Sequence, residues 1–80
     1  NGSLPVYIKD IFKDINGDIW LATSFDGLIR YNGVYCEAYK EYNGFPEDDA
    51  VAVAQDKDGN IWAGTYSEGL AKYTLPLTIK

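Results

Sequence analysis

The chain has 80 residues, a formal net charge of −5, one cysteine and no histidine. A chain of this length forms at most one small domain, and a single cysteine excludes an internal disulfide. A metal site and a cofactor are not expected, since zinc takes several cysteine and histidine ligands. The negative charge disfavours phosphate backbones and anionic lipid, so neither nucleic acid nor a membrane surface is an expected partner.

Short apolar and β-branched runs, bounded by glycine, asparagine and aspartate, predict β-strands rather than helices along the chain. The first half predicts strands over residues 6–13, 18–23, 28–32 and 34–39. The second half predicts strands over residues 50–55, 60–65, 69–73 and 77–80. Residues 41–49 are rich in turn formers and are predicted to connect the two halves.

The sequence repeats itself at an offset of 42 residues. Residues 14–31 (DINGDIWLATSFDGLIRY) align without a gap on residues 56–73 (DKDGNIWAGTYSEGLAKY). The identical pairs are Asp14/Asp56, Gly17/Gly59, Ile19/Ile61, Trp20/Trp62, Thr23/Thr65, Gly27/Gly69, Leu28/Leu70 and Tyr31/Tyr73. A repeat of about 40–50 residues with four short strands is typical of a propeller blade.

We therefore predict an all-β fold made of two four-stranded antiparallel blades of a β-propeller. Residues 1–42 are predicted to form the first blade and residues 43–80 the second, within one propeller domain. Two blades share one interface and leave two outer faces uncovered, which soluble monomers seldom tolerate. Further blades, from the same parent chain or from other copies in a homo-oligomer, are therefore the expected partners.

Six repeated residues are assigned to the framework of the two units: Gly17, Trp20, Gly27, Gly59, Trp62 and Gly69. Asn16-Gly17 and its counterpart at residues 58–59 predict type I′ turns, in which both central residues have a positive φ. Gly27 and Gly69 are expected at positive-φ or closely packed positions before the third strand. The tryptophans lie in the middle of a strand, so packing between blades is favoured over sugar stacking.

The acidic clusters at residues 14–18 and 56–60 could suggest calcium. An EF-hand loop needs glycine at its sixth position and glutamate at its twelfth. Counting from Asp14 gives Ile19 and Phe25, and the second unit fits no better. Hydrogen bonds from aspartate side chains within the turns explain these residues better than a metal.

Five residues are the candidates for ligand binding: Arg30, Tyr31, Tyr66, Lys72 and Tyr73. The alternative is a solvated strand face, with Arg30 and Lys72 paired to Asp26 and Glu68. No catalytic residue is assigned, because Cys36 has no histidine to act as its base.

The pattern D-x-x-G-[ND]-I-W-x-x-T-x-x-x-G-L-x-[RK]-Y, present at residues 14–31 and 56–73, resembles the two-component regulator propeller repeat. Residues 42–51 (YNGFPEDDAV) are similar to the link between blades in that family, with Phe45 in place of the usual leucine. Ala63-Gly64-Thr65 matches the usual end of the second strand, whereas Leu21-Ala22-Thr23 lacks its glycine.

The resemblance implies the sensor region of a bacterial hybrid two-component histidine kinase, in the periplasmic part of an inner-membrane protein. It also implies that the ligands are oligosaccharides and that this segment has no catalytic activity of its own. Two alternatives stay open. One is a structural or self-assembling propeller fragment without a ligand, and the other is a lyase-like propeller enzyme.

Overall fold

The computed structural model describes residues 7–40 and 44–74, and their strands form two antiparallel sheets. The first sheet contains β1 (Tyr7–Lys13), β2 (Ile19–Ser24), β3 (Leu28–Tyr31) and β4 (Cys36–Tyr39). The second contains β5 (Ala50–Gln55), β6 (Ile61–Thr65) and β7 (Leu70–Tyr73). Within each sheet, every strand pairs with the next along the chain, so the predicted all-β fold of blade-like sheets is confirmed.

Two predictions fall on parts of the chain outside the described residues. The eighth strand was expected at residues 77–80, and the boundary between the blades lies within residues 41–43. Both stay predictions. The described residues contain no helix that could cross a membrane.

The first sheet's last strand begins at Cys36, two residues later than predicted, because the preceding residues form a turn. The Asn32 side-chain oxygen accepts the backbone N–H groups of Val34 and Tyr35, at 2.9 and 2.8 Å. Gly33, with a φ of 99°, supplies the left-handed residue within the turn. The asparagine therefore takes up donors that would otherwise extend the ladder.

The hairpin turns of the two sheets are not type I′, so that prediction is wrong. Gly17 has a φ of 90°, but Asn16 does not have a positive φ. The Gly17 N–H donates to the Asp14 carbonyl at 3.0 Å, and the Asp14 N–H donates to the Asp18 carbonyl at 2.9 Å. This is the pattern of a type I turn followed by a left-handed glycine. The second sheet has the same bonds between Asp56 and Gly59 (3.1 Å), and between Asp56 and Asn60 (2.9 Å).

The hydrophobic core lies between the two sheets. From the first sheet, Trp20, Ala22 and Leu28 are buried, and they belong to one cluster with residues of the second sheet. The second sheet contributes Ala50, Val53, Ile61 and Ala63. Phe45, from the connection between the sheets, fills the same core. Burial of a side chain of this size contributes about 1.5–3 kcal/mol.

Gly27 and Gly69 hold equivalent positions but differ in their surroundings. Both are in the left-handed region, with φ of 69° and 86°. A Cβ added at Gly27 would collide with the backbone carbonyl oxygen of Tyr39, whereas one at Gly69 meets nothing within 4 Å. The expected positive φ is therefore found at both glycines, and close packing at Gly27 alone.

Replacing either glycine with alanine tests this difference. We expect Gly69→Ala to lower the free energy of unfolding by about 1–2 kcal/mol, the cost of a left-handed alanine. Gly27→Ala should cost about 1–3 kcal/mol more, because the collision with the Tyr39 carbonyl must also be relieved. Urea unfolding followed by tryptophan fluorescence measures both. Equal losses in the two variants would contradict the close approach at Gly27.

Candidate functional site

Three connecting segments meet at one end of the two sheets. The Gly27 N–H donates to the Asp48 carbonyl at 2.8 Å, and the Tyr66 N–H donates to the Asp49 carbonyl at 3.0 Å. Residues just before β5 therefore touch the turns of both sheets. We call this surface the connection rim, and it consists of residues 24–27, 47–49 and 66–69.

Large aromatic side chains are exposed at this rim. Phe25 and Tyr66 are 70% and 75% exposed. The Tyr7 ring, at the start of β1, packs edge-on against Phe25 with 6.3 Å between ring centroids. Exposed rings at one end of a sheet form an apolar surface that a ligand can cover.

Phe25 has a strained backbone. Its φ is 76°, and it is the one non-glycine residue in the described chain with a positive φ. The equivalent residue of the second sheet, Ser67, does not share this conformation. A strained residue costs about 1–3 kcal/mol and is often found at a functional site. The ring of Phe25 faces solvent, so burial in the core does not offset that cost.

Three carboxylates of the rim, those of Glu47, Asp49 and Asp26, are held by hydrogen bonds or ion pairs. Glu47 accepts the N–H and the hydroxyl of Ser67, at 2.6 and 3.0 Å. Asp49 pairs with Lys9 at 3.2 Å, and Asp26 lies 3.7 Å from the ammonium group of Lys40. The rim therefore combines aromatic rings with fixed oxygen acceptors.

The structure separates the five predicted ligand-binding residues. Tyr66 lies in the connection rim, whereas Arg30, Tyr31, Lys72 and Tyr73 lie toward the opposite ends of β3 and β7. The five residues therefore do not form a single site. Their role in binding stays a prediction.

Arg30 is part of the folded framework. It is buried, its guanidinium bonds Asp18 at 2.7 Å, and it lies 5.3 Å from the Trp20 ring centroid. The alternative interpretation had expected Arg30 to pair with Asp26. It pairs with Asp18 instead, because Asp18 directly precedes β2 and lies beside the end of β3 that carries Arg30. Lys72 is exposed and lies 5.4 Å from the Trp62 ring centroid.

The tyrosines that end β4 and β7, Tyr39 and Tyr73, pack together. The rings of Tyr39 and Tyr73 are 4.7 Å apart. Burial, together with a hydrogen bond to Glu37 at 2.9 Å, raises the pKa of Tyr39 to about 12. Burial also raises the pKa of Tyr73. Both hydroxyls therefore stay protonated at physiological pH, and neither residue provides a base.

A repeated aspartate holds the tryptophan of each sheet. The indole N–H of Trp20 donates to Asp14 at 2.8 Å, and that of Trp62 donates to Asp56 at 2.9 Å. The other oxygen of each carboxylate accepts two backbone N–H groups of its turn. Turn hydrogen bonding therefore accounts for these aspartates. Residues 7–40 and 44–74 contain no group of three or more side chains arranged to hold a metal.

Phe25 of the rim, and Tyr7 that packs against it, were not among the predicted site residues. The available signal was an aromatic residue among turn formers, in Ser24-Phe25-Asp26-Gly27, where the second unit has serine. A large ring in such a turn is poorly placed for the core. Only the exposure of Phe25 and its positive φ in the folded structure mark it as a candidate binding residue.

The Asp56 carboxylate provides a test by titration. Hydrogen bonds from the Trp62 indole and from the turn lower its pKa from 3.8 to about 2. The Asp56 carboxyl has a lower pKa in the folded state than in the unfolded state, so its contribution to the free energy of unfolding is complete above about pH 4. That effect is lost as the pH falls through 2. We expect ¹³C NMR of the Asp56 carboxyl to show a midpoint near 2, and a higher midpoint in Trp62→Phe. A wild-type midpoint near 3.8 would contradict the hydrogen bond.

The family model described as two component regulator propeller matches the chain twice, at residues 2–25 and 44–67. The two matches together cover more than half of the chain and have the same offset as the internal repeat. Each match ends in a turn of the connection rim. No curated protein matches the chain.

Proposed function

Because the chain belongs to the two component regulator propeller family, we propose that it is a ligand-sensing propeller segment and that its ligands are neutral oligosaccharides. The observation that carries this proposal is the connection rim, where exposed aromatic rings lie beside fixed carboxylates. The family is one of repeats rather than of catalytic domains. In this proposal the segment binds and transmits, and it catalyses no reaction.

Sugar rings and this rim have complementary chemistry. A sugar presents an apolar C–H face to an aromatic ring, and its hydroxyl groups donate hydrogen bonds to carboxylate oxygens. Covering one large apolar side chain contributes about 1.5–3 kcal/mol. Phe25 and Tyr66 supply the rings, and Glu47 and Asp49 supply acceptors that are already oriented.

The charge of the rim favours neutral sugars over acidic ones. Five carboxylate side chains lie in its three segments: Asp26, Glu47, Asp48, Asp49 and Glu68. The whole chain is also negative. Sulfated or uronic-acid-rich oligosaccharides would meet repulsion at this surface.

The location belongs to the same proposal. By resemblance, the segment lies on the periplasmic side of the inner membrane. The connection rim touches both sheets through Gly27 and Tyr66, so a ligand bound there contacts the junction between them. Binding would then stabilise one relative position of the two sheets, which neighbouring parts of a regulator could detect.

A panel of neutral and sulfated oligosaccharides, measured by calorimetry, tests the proposal. We expect the wild-type chain to bind a neutral oligosaccharide and none of the sulfated ones. Phe25→Ala and Tyr66→Ala should each weaken this binding about tenfold or more, which corresponds to a loss of about 1.4 kcal/mol. Absence of binding to every neutral sugar would refute the proposal.

Val34→Ala is the matched control. Val34 is as exposed as the rim aromatics but lies in the turn between β3 and β4, at the opposite end of the sheet. Its substitution should leave binding unchanged. Tyr31→Ala tests the other predicted site. If this variant loses binding while Phe25→Ala retains it, the ligand occupies the end of β3 opposite the connection rim, and the proposed role of the rim is wrong.

A further inference from the structure

Two Asn-Gly pairs lie wholly within the described residues, Asn16-Gly17 and Asn32-Gly33, and each is in a turn between neighbouring strands. Asparagine is a thermolabile residue. It is most labile before glycine, whose backbone nitrogen is not hindered by a side chain and can attack the asparagine side-chain amide. The two turns bind their backbone groups differently, so the structure distinguishes two sites that have the same local sequence.

The attacking nitrogen of Asn16-Gly17 is occupied. The Gly17 N–H donates to the Asp14 carbonyl at 3.0 Å, and the Asn16 N–H donates to the Asp14 carboxylate at 2.8 Å. Attack requires the Gly17 nitrogen to lose its proton, and with it this hydrogen bond. The negative charge of Asp14 also disfavours an amide anion beside it. This turn therefore protects its asparagine.

The attacking nitrogen of Asn32-Gly33 is free. Within residues 7–40 and 44–74, the Gly33 N–H donates to no acceptor. Residues 32–35 are exposed, so water reaches this nitrogen. A Cβ added at Gly33 would meet nothing within 4 Å, which shows that no other group crowds the glycine. Solvent base can therefore remove the Gly33 proton without breaking a hydrogen bond of the turn.

The side-chain carbonyl of Asn32 is polarised by the same turn. Its oxygen accepts the N–H groups of Val34 and Tyr35, at 2.9 and 2.8 Å. Negative charge develops on this oxygen when the amide carbon is attacked, and the two donors already point at it. This is the arrangement of an oxyanion hole, in which one donor contributes about 10²–10³ in rate. The Asn16 side-chain oxygen accepts no hydrogen bond from the described residues.

We propose that Asn32 is a site of deamidation promoted by its own turn, and that Asn16 is protected from the same reaction. The substrate is the Asn32 side-chain amide, the nucleophile is the Gly33 nitrogen, and water is the only co-reactant. This inference concerns the turn between β3 and β4, and it does not depend on ligand sensing.

The reaction proceeds in two steps. Solvent base takes the Gly33 amide proton, and the nitrogen lone pair forms a bond to the side-chain amide carbon of Asn32. The bond from that carbon to Nδ2 breaks, and Nδ2 takes a proton and leaves as ammonia, so that a cyclic succinimide remains. Water then opens the ring by adding to either carbonyl, and the released Gly33 nitrogen regains its proton. Opening at the side-chain carbonyl gives isoaspartate when the backbone bond is the one transferred, and opening at the other ring bond gives aspartate.

The two products affect the turn differently. Aspartate at position 32 still accepts both N–H groups, and more strongly because it is charged. It also adds one negative charge to a chain whose formal net charge is −5. Isoaspartate places an extra carbon in the main chain and loses this geometry. The Tyr31 hydroxyl donates to the Gly33 carbonyl at 3.0 Å, so the modification also changes the support of a predicted ligand-binding residue.

Peptide mapping by mass spectrometry, after incubation of the intact chain at mildly alkaline pH, tests the proposal. Mapping separates both sites from the Asn-Gly pairs at residues 1–2 and 43–44. In the folded chain, we expect Asn32 to deamidate at least about tenfold faster than Asn16. In guanidinium chloride the turns are lost, and the two asparagines should react at similar rates.

Two variants serve as controls, and the fluorescence of buried Trp20 checks that each is folded. Asn16→Asp places at this position the residue that the second unit has at Asp58, and it should leave the rate at Asn32 unchanged. Asn32→Asp should abolish the fast deamidation of the folded chain. Equal rates in the folded chain, faster reaction at Asn16, or no reaction at Asn32 would overturn the proposal. A difference that persists in guanidinium chloride would also overturn it, because the turns would then not be its cause.

Discussion

The other features depend on one contact between the two sheets. In it, Trp20 and its neighbours are buried against the face of the second sheet that carries Val53 and Ile61. A sheet of this kind has apolar residues on both faces, so neither sheet is stable when exposed on both sides. The connection between the sheets serves this contact, because it places Phe45 in the core and brings Asp48 against Gly27. The absence of a side chain at Gly27 permits the approach of Tyr39, whose ring stacks on Trp20 at 5.9 Å. The connection rim is thus a consequence of how the two sheets are packed.

The positions that the two units share have structural roles, and the positions that differ mark the candidate functions. Asp14 binds its turn and the indole of Trp20, and the second unit repeats this arrangement. Thr23 closes the next turn by donating its hydroxyl to the Gly27 carbonyl at 2.7 Å, again as in the second unit. Phe25, by contrast, has no aromatic counterpart. The strained, exposed ring therefore belongs to the surface of this particular unit rather than to the framework of the repeat.

The sequence by itself determined the repeat, the strands and the left-handed glycines. These follow from local chemistry, since strand pattern and positive φ depend on neighbouring residues. It did not determine the hairpin turn type, because the Asp14 carboxylate captures backbone donors that a two-residue turn rule ignores. Nor could it distinguish Trp20 from Trp62, which have the same local sequence pattern. Only tertiary packing decided that one tryptophan is covered and the other is exposed, because coverage depends on which sheet lies next to each face.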